Sequence, residues 1–230
     1  MNIFVEQISL TVRNTSIIRN ISFTIPDGHF TCIVGANGSG KSSIMRIISK
    51  DITNYSGFVT DIRQDQMAYL PQNIRSPLFL KTIEIVHLGF YGQKLTIHEK
   101  NLASEKLLDT FGISHIKNTS FTDISAGEKQ RTWLAFALAQ SKNLMLLDEP
   151  LADIDIKDRK RFYGLLRSIV DEGNTLALIT HDIDLVLNFC NHMIVLEKGE
   201  KIFEGNPANF ELNDSIAELR VHPFSTGKGI

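Results

Sequence analysis

The sequence contains little cysteine. Only two of its 230 residues are cysteines, Cys32 in a predicted strand and Cys190 in a predicted apolar helix. A pair of cysteines in such segments suits buried, reduced thiols better than a disulfide or a metal site. We therefore expect two buried thiols that are not bonded to each other.

Long hydrophobic runs are also lacking. No segment approaches the roughly 18 apolar residues that a membrane span needs. Residues 1–6 do not show the charged stretch followed by an apolar stretch that is typical of a secretory leader. These features predict a protein that is made and kept in the cytosol.

The chain has no excess of one charge. It contains 24 Lys and Arg residues against 26 Asp and Glu residues, a net charge of −2, and no basic block or Arg/aromatic stripe. Nucleic acid is therefore not expected as a partner. With 43% hydrophobic residues, the chain can bury a sizeable core, as one domain or as a domain with an insertion.

The apolar residues follow strand-like and helix-like patterns in turn. Continuous apolar runs at residues 144–147 and 175–179 are typical of central parallel strands, and a helical pattern follows each. Residues 3–12 and 21–25 predict a small antiparallel arm, whereas residues 78–118 change to helical periodicity. The sequence therefore predicts an α/β fold with a helical insertion.

A glycine-rich loop follows the apolar run of residues 30–34, where a buried strand is predicted. Residues 35–42 read Gly-Ala-Asn-Gly-Ser-Gly-Lys-Ser, which matches the phosphate-loop pattern G-x-x-x-x-G-K-[ST]. In this pattern backbone N–H groups face phosphates, Lys41 reaches the β and γ oxygens, and the Ser42 hydroxyl holds Mg²⁺. The alternative, a glycine-rich turn without a ligand, does not explain the strand–loop–helix setting. The predicted nucleotide-binding residues of this segment are Gly35, Asn37, Gly38, Ser39, Gly40, Lys41, Ser42 and Ser43.

Two carboxylates follow the predicted strand at residues 144–147. Asp148 and Glu149 would lie at the carboxyl end of that strand, which is where parallel sheets bind ligands. Asp148 would organise Mg²⁺ opposite Ser42, and Glu149 would polarise the attacking water. An exposed acidic pair at a strand end is the alternative, which the preceding phosphate loop disfavours.

A third motif begins at Ser125, in the sequence Ser-Ala-Gly-Glu. Ser125 and Glu128 form an S-x-x-E capping box, which by itself predicts only the start of a helix. The functional interpretation is that Ser125 and the free N–H groups near Gly127 present a second positive helix end to a phosphate.

Six motifs in order resemble an ABC transporter ATPase subunit over nearly the whole chain. They are the phosphate loop, Gln72 in Tyr-Leu-Pro-Gln, the Ser-Ala-Gly-Glu-x-Gln-Arg segment, Leu-Leu-Asp-Glu-Pro, Asp155, and Thr180-His181-Asp182. The resemblance implies a P-loop NTPase (RecA-like) core with an N-terminal antiparallel β arm and a helical subdomain. It divides the chain into residues 1–72 (core), 73–136 (helical subdomain with the signature motif) and 137–230 (core and C-terminal tail).

The resemblance also implies catalytic roles. Gln72 would contact Mg²⁺ and the attacking water, Glu149 would be the general base, and His181 would hold the γ-phosphate. The ligands would be ATP and Mg²⁺, with Ser42, Gln72 and Asp148 as the metal-binding residues. Taken alone, Gln72 reads as a surface-loop residue and His181 as a strand-end histidine bonded to backbone.

The resemblance implies several partners. Two subunits would pack head to tail, so that Ser125 and Gly127 of one close over ATP held by the Lys41 loop of the other. Asp155 would lie at this dimer interface. An integral membrane permease would dock on the helical insertion, and an importer would add an extracytoplasmic substrate-binding protein. The subunit would then lie at the cytoplasmic face of the membrane, held there by the permease.

Two other classes of function are the alternatives. A soluble ABC-type ATPase of translation or DNA repair would usually show two cassettes or a long coiled coil, and the sequence shows neither. A regulator that binds nucleotide without hydrolysing it would lack the base, whereas Glu149 is present.

Three positions depart from the family pattern. Ala126 replaces a glycine and Glu128 stands where glutamine is commoner, so closure over a second subunit's ATP is expected to be weakened. Val12, with Arg13 beside it, occupies the place of an aromatic residue that stacks on adenine. With Val12 at this position, we expect loose discrimination between ATP and GTP. Stacking of the Arg13 guanidinium on the base is the alternative.

Few features of the sequence indicate the transported substrate. Lys41 and Gln72 are just 31 residues apart, a trimmed interval that resembles the ATPase subunits of bacterial zinc and manganese importers. Residues 130–135 and the pair Asp155-Ile156 instead resemble those of iron-chelate and cobalamin importers. We favour zinc or manganese, with the iron chelate as the alternative.

Overall fold

The structure is a computed structural model, and it describes residues 1–210. The predicted C-terminal tail, residues 221–230, lies outside the described residues. Among residues 1–210, no helix combines the length and the apolar character that crossing a membrane requires.

The described residues form nine strands and six α-helices. The strands are β1 (Ile3–Val12), β2 (Thr15–Ile25), β3 (Phe30–Gly35), β4 (Ser56–Val59), β5 (Met67–Leu70), β6 (Leu144–Asp148), β7 (Thr175–Ile179), β8 (His192–Glu197) and β9 (Glu200–Gly205). The α-helices are α1 (Lys41–Ile48), α2 (Thr82–Gly89), α3 (Ile97–Thr110), α4 (Ala126–Ala139), α5 (Ile156–Asp171) and α6 (Ile183–Phe189).

The chain divides into two compact units, and the described part of the first comprises residues 1–60 and 179–210. Its antiparallel sheet has the order β2-β1-β4. In its other strands, β3 pairs in parallel with β8, and β8 pairs antiparallel with β9. All six residues of β3 are buried, so this strand delivers the loop that follows it from a fixed position in the core.

The second unit comprises residues 61–178. In it β5 pairs in parallel with β6, and β6 neighbours β7. Helices α2 to α5 belong to the same unit. One side of α5 carries four buried residues at helical spacing, which pack into the interior of the unit: Phe162, Tyr163, Leu166 and Val170.

The predicted α/β fold class is confirmed. The apolar runs at residues 144–147 and 175–179 are β6 and β7, and each precedes a helix. The predicted arm is the antiparallel β1–β2 pair, in which residues 21–25 form only the second half of a longer strand. The division at residues 72 and 136 stays a prediction.

The expectation of two unbonded thiols is wrong, because Cys32 and Cys190 form a disulfide. Parallel pairing of β3 and β8 places Thr31 opposite His192, and the N–H of Asn191 donates to the carbonyl of Phe30. Cys190 directly follows α6 instead of lying within it, and its Cα is 6.4 Å from that of Cys32. The pairing of β3 with β8 thus brings together two cysteines that are 158 residues apart in the sequence. A local sequence pattern does not show which distant strands pair.

Reduction of this disulfide is expected to lower the free energy of unfolding by about 2–4 kcal/mol, because the bond restricts the unfolded chain over a long loop. Urea unfolding with and without a thiol reductant measures the effect as a lower midpoint after reduction. The double variant Cys32→Ala/Cys190→Ala is the control, since its midpoint should not respond to the reductant. Equal midpoints for the wild-type protein, or two titratable thiols in the denatured unreduced chain, would contradict the bond.

Candidate functional site

The phosphate loop connects β3 to α1 in the first unit, and its glycines are required by geometry at two positions. A Cβ atom added to Gly35 would lie 2.2 Å from the backbone oxygen of Leu196. Gly40 has a φ of 102°, in the left-handed region that favours glycine, and an added Cβ there would lie 3.3 Å from the oxygen of Ile17. The loop therefore depends on glycine both for its close packing and for its turn into the helix.

Lys41 is the first residue of α1, and its side chain folds back along the loop. Its Nζ atom donates to the carbonyl oxygens of Gly35, at 2.8 Å, and Ala36, at 2.9 Å, and the residue is only 5% exposed. The first turn of α1 has no acidic residue, and Gly40 supplies no side-chain cap. The loop thus combines a fixed ammonium group with an uncapped positive helix end, a combination that suits an anion.

The remaining loop residues differ in exposure. Asn37 and Gly38 are exposed, Ser42 and Ser43 are half-buried, and Ser39 is buried. The Ser39 hydroxyl has no hydrogen-bond partner among the described residues. Because a buried polar group without a partner is costly, this hydroxyl fits a site completed by a ligand with acceptor oxygens.

His181 lies in the loop between β7 and α6. The N–H of the preceding residue, Thr180, donates to the carbonyl of Ile33 in β3, which holds this loop beside the strand that carries the phosphate loop. The Thr180 hydroxyl in turn accepts from the N–H of Asp182. His181 is exposed, so its imidazole can reach a ligand.

The two carboxylates stand at the carboxyl end of β6 in the second unit. Asp148 is the last residue of the strand and is 3% exposed. Glu149 follows with a φ of 49°, a conformation that non-glycine residues seldom adopt. Such backbone strain is concentrated at functional sites, where it fixes the direction of a side chain.

Gln72 contacts Glu149 directly. Its Nε2 atom donates to Glu149 Oε2 at 2.7 Å, which connects residues 77 positions apart in the sequence. The bond links the end of β6 to the loop that follows β5, so a displacement of that loop would move the Glu149 carboxylate.

The capping box at the start of α4 forms as the sequence predicts. The Ser125 hydroxyl donates to Glu128 Oε2 at 2.7 Å, and the Ser125 N–H donates to the same oxygen at 2.9 Å. Gly127 packs so close to the loop before α5 that a Cβ added to it would lie 3.0 Å from the oxygen of Asp153. In that loop Asp155 is exposed and directly precedes α5.

The structure thus brings some predicted residues together within each unit. Gln72 meets Glu149 in the second unit, while the phosphate loop and the Thr180-His181 segment both adjoin β3 in the first. The predicted roles of these residues stay predictions.

Two residues near the motifs were missed by the sequence analysis. His115 Nε2 lies 3.2 Å from Glu128 Oε1. Arg159 Nε donates to the oxygen of Ile154 at 2.9 Å, which steadies the loop before α5. Neither residue belongs to a motif, so no signal in the sequence could have singled them out.

Val12 and Arg13 lie where β1 turns into β2. Val12 is 46% exposed, and Arg13 has a φ of 48° in the turn. The expected loose selectivity between ATP and GTP stays a prediction.

Known proteins resemble the chain in both sequence and fold. The ABC transporter family model matches residues 18–152. The ferric enterobactin transport ATP-binding protein FepC of Escherichia coli (strain K12) is 32% identical over 234 residues, covering 94% of this chain and 86% of FepC. The manganese transport system ATP-binding protein MntA of Synechocystis sp. is 32% identical over 213 residues, covering 86% of this chain and 82% of MntA.

A solved structure shares the fold. The dimeric structure of MJ0796, a bacterial ABC transporter cassette, superposes with a TM-score of 0.82 at 24% identity, over 90% of this chain and all of that one. The family model covers more than half of the chain, and the two relatives extend the match over most of it. The chain therefore belongs to the ABC transporter family of ATP-binding proteins, and it is an ATPase.

Proposed function

We propose that the chain is the ATP-hydrolysing subunit of an ABC importer for transition metal ions, zinc or manganese. The observation that carries the transport function is the hydrogen bond between Gln72 and Glu149. This bond connects the carboxylate best placed to act as the base with a loop that faces a cleft on the surface of the second unit. Hydrolysis and the docking of a partner are thereby linked through a single side chain.

ATP binding is assigned to the phosphate loop. Lys41 would exchange its two backbone carbonyl partners for β- and γ-phosphate oxygens, and the buried Ser39 hydroxyl would gain an acceptor. The N–H groups at the start of α1 would face the same phosphates. His181, held beside β3, would contact the γ-phosphate.

Mg²⁺ is the metal that these oxygen donors fit. The Ser42 hydroxyl, the Asp148 carboxylate and the Gln72 side-chain oxygen would hold it together with phosphate oxygens, and such oxygen donors are the ligands that Mg²⁺ prefers. The metal ion would neutralise charge on the transferred phosphoryl group. Glu149 would accept the proton of the attacking water, and its hydrogen bond to Gln72 holds the carboxylate in place.

We further propose that two copies of the chain act as a homodimer. Ser125 and Gly127 of one copy would cover the nucleotide in the phosphate loop of the other, with Asp155 at the interface. ATP binding would close the pair and hydrolysis would release it, which is the motion that a transporter can use.

The permease is proposed to dock on the second unit. A cleft of about 290 Å³ is lined by the loop after β5 and by α4, including Gln72, Arg75, Lys129 and Trp133. Directly after that loop, Leu78 and Phe79 are 68% and 92% exposed. Adjacent large apolar side chains in solvent are typical of a protein interaction site. The subunit would thus be held at the cytoplasmic face of the membrane.

The cargo assignment depends on the trimmed interval between Lys41 and Gln72. An iron-chelate importer is the second candidate, because relatives for ferric enterobactin and for manganese match at the same identity of 32%. Residues that contact the cargo belong to the permease and the extracytoplasmic substrate-binding protein, so this chain affects specificity only through its partners.

Reconstitution tests the cargo. The chain is combined in vesicles with the permease and binding protein encoded beside it, and phosphate release is measured with the binding protein empty or loaded. We expect stimulation by the protein loaded with zinc or manganese. An assembly that carries Glu149→Gln is the control for hydrolysis by contaminants. Stimulation only by an iron chelate, or transport outward, would overturn the assignment.

A further inference from the structure

The side chain that the proposed function assigns to a second copy's nucleotide is already engaged within its own chain. The Ser125 hydroxyl has a single proton, and it donates that proton to Glu128 Oε2 at 2.7 Å. The Ser125 N–H donates to the same oxygen, at 2.9 Å. The Glu128 carboxylate therefore occupies both donors of Ser125, including the hydroxyl that an incoming phosphate would use.

The second carboxylate oxygen is also held. His115 Nε2 lies 3.2 Å from Glu128 Oε1, so the carboxylate is bonded at both ends. The hydrogen bond from the Ser125 hydroxyl has the largest effect on the pKa of Glu128 and lowers it from its usual value. The hydrogen bond from the Ser125 N–H and the contact with His115 lower this pKa further. The group is consequently ionised at neutral pH, and its bond to Ser125 is of the charge-assisted kind.

We propose that Glu128 is a positioning residue that restrains the Ser125 hydroxyl and so sets the ATP concentration at which two copies close. This inference rests on the proposed function, in which Ser125 covers nucleotide bound to a second copy. Closure must exchange the Ser125–Glu128 hydrogen bond for one from Ser125 to a phosphate oxygen. A glutamine at position 128 has the same size and a neutral acceptor, which is released more easily.

The test compares Glu128→Gln with the wild-type residue in a Glu149→Gln background, where hydrolysis is slow. Dimer formation is measured by light scattering or gel filtration as ATP is increased. We expect Glu128→Gln to lower the ATP concentration for half-maximal dimer formation about tenfold. In the hydrolysing protein the same change should lower KM for ATP much more than it alters kcat.

The chain supplies a matched control at the start of α3. There the Thr96 hydroxyl and N–H donate to Glu99 Oε2 at 2.8 and 2.7 Å, in the same capping geometry but outside the proposed site. Glu99→Gln should weaken a helix cap to a similar extent and leave the ATP concentration for dimer formation unchanged. If Glu99→Gln and Glu128→Gln change the ATP concentration for dimer formation equally, the effect comes from helix stability alone and the proposal is overturned.

Salt separates the restraint from long-range repulsion between Glu128 and phosphate. If a local hydrogen bond is the cause, Glu128→Gln should lower the ATP concentration for dimer formation by the same factor at about 0.05 M and about 0.5 M salt. Repulsion through solvent would instead be screened at the higher salt concentration. A decrease that disappears at high salt, or no decrease at all, would contradict the restraint. If the Glu149→Gln protein forms no dimer at any ATP concentration, the proposed function fails together with this inference.

Discussion

Replacement of Glu149 by glutamine is expected to leave ATP binding intact and to slow hydrolysis by roughly 100-fold to 10,000-fold. Glutamine has the size of glutamate but cannot accept a proton from the attacking water. Its side-chain oxygen can still accept the hydrogen bond that Gln72 donates to Glu149, so the local structure should be kept. The measurement is single-turnover phosphate release with Mg²⁺ and ATP, together with equilibrium binding of a fluorescent nucleotide.

A surface carboxylate provides the control for this variant. Glu172 is exposed at the end of α5, and Glu172→Gln should hydrolyse ATP at the wild-type rate. The Glu149 variant should also accumulate as an ATP-bound dimer, because the step that releases the pair is blocked. Near-normal hydrolysis in the Glu149→Gln protein would show that another group is the base.

The local features of the fold could be predicted because each lies within a short stretch of chain. The apolar runs that become β3, β6 and β7 are buried throughout, and buried parallel strands are continuous in their hydrophobicity. The capping box of Ser125 needs only residues three positions apart, and its reciprocal bonds form as predicted.

Contacts between distant segments could not be predicted in the same way. The Cys32–Cys190 disulfide depends on the pairing of β3 with β8, and the bond from Gln72 to Glu149 depends on that of β5 with β6. A hydrophobicity pattern indicates that a strand exists but does not identify its neighbour in the sheet.

The left-handed backbone conformation of Glu149 could not be predicted from the sequence either. Glycine, asparagine and aspartate are the residues that signal this conformation in a sequence, and glutamate does not. The strain becomes visible only in the structure, where Glu149 follows the buried end of β6 and accepts a hydrogen bond from the loop after β5. A residue that contradicts its local preference in this way is expected at a functional site.

Replacement of Lys41 by alanine is expected to weaken ATP binding itself by roughly 100-fold, which corresponds to about 2.7 kcal/mol. The ammonium would contact phosphate oxygens in the ground state as well as during hydrolysis, so its loss should raise the dissociation constant, in contrast with the loss of Glu149. Its present bonds to the carbonyls of Gly35 and Ala36 already hold it at the loop, so little ordering is needed when ATP binds. Equilibrium binding of ATP to the purified variant is the measurement.

Two further variants make this result specific to the phosphate loop. Lys94 is exposed in the segment between α2 and α3, and Lys94→Ala should bind ATP like the wild-type protein. Lys41→Arg keeps the charge but presents it as a larger planar group in a site where lysine is buried, so we expect an affinity between those of the wild-type and alanine proteins. Unfolding midpoints for all three variants exclude a general loss of structure. A charge-assisted contact to phosphate contributes more than about a factor of two to affinity. If Lys41→Ala has a dissociation constant for ATP within about twofold of the wild-type value and an unchanged unfolding midpoint, the phosphate loop is not the nucleotide site.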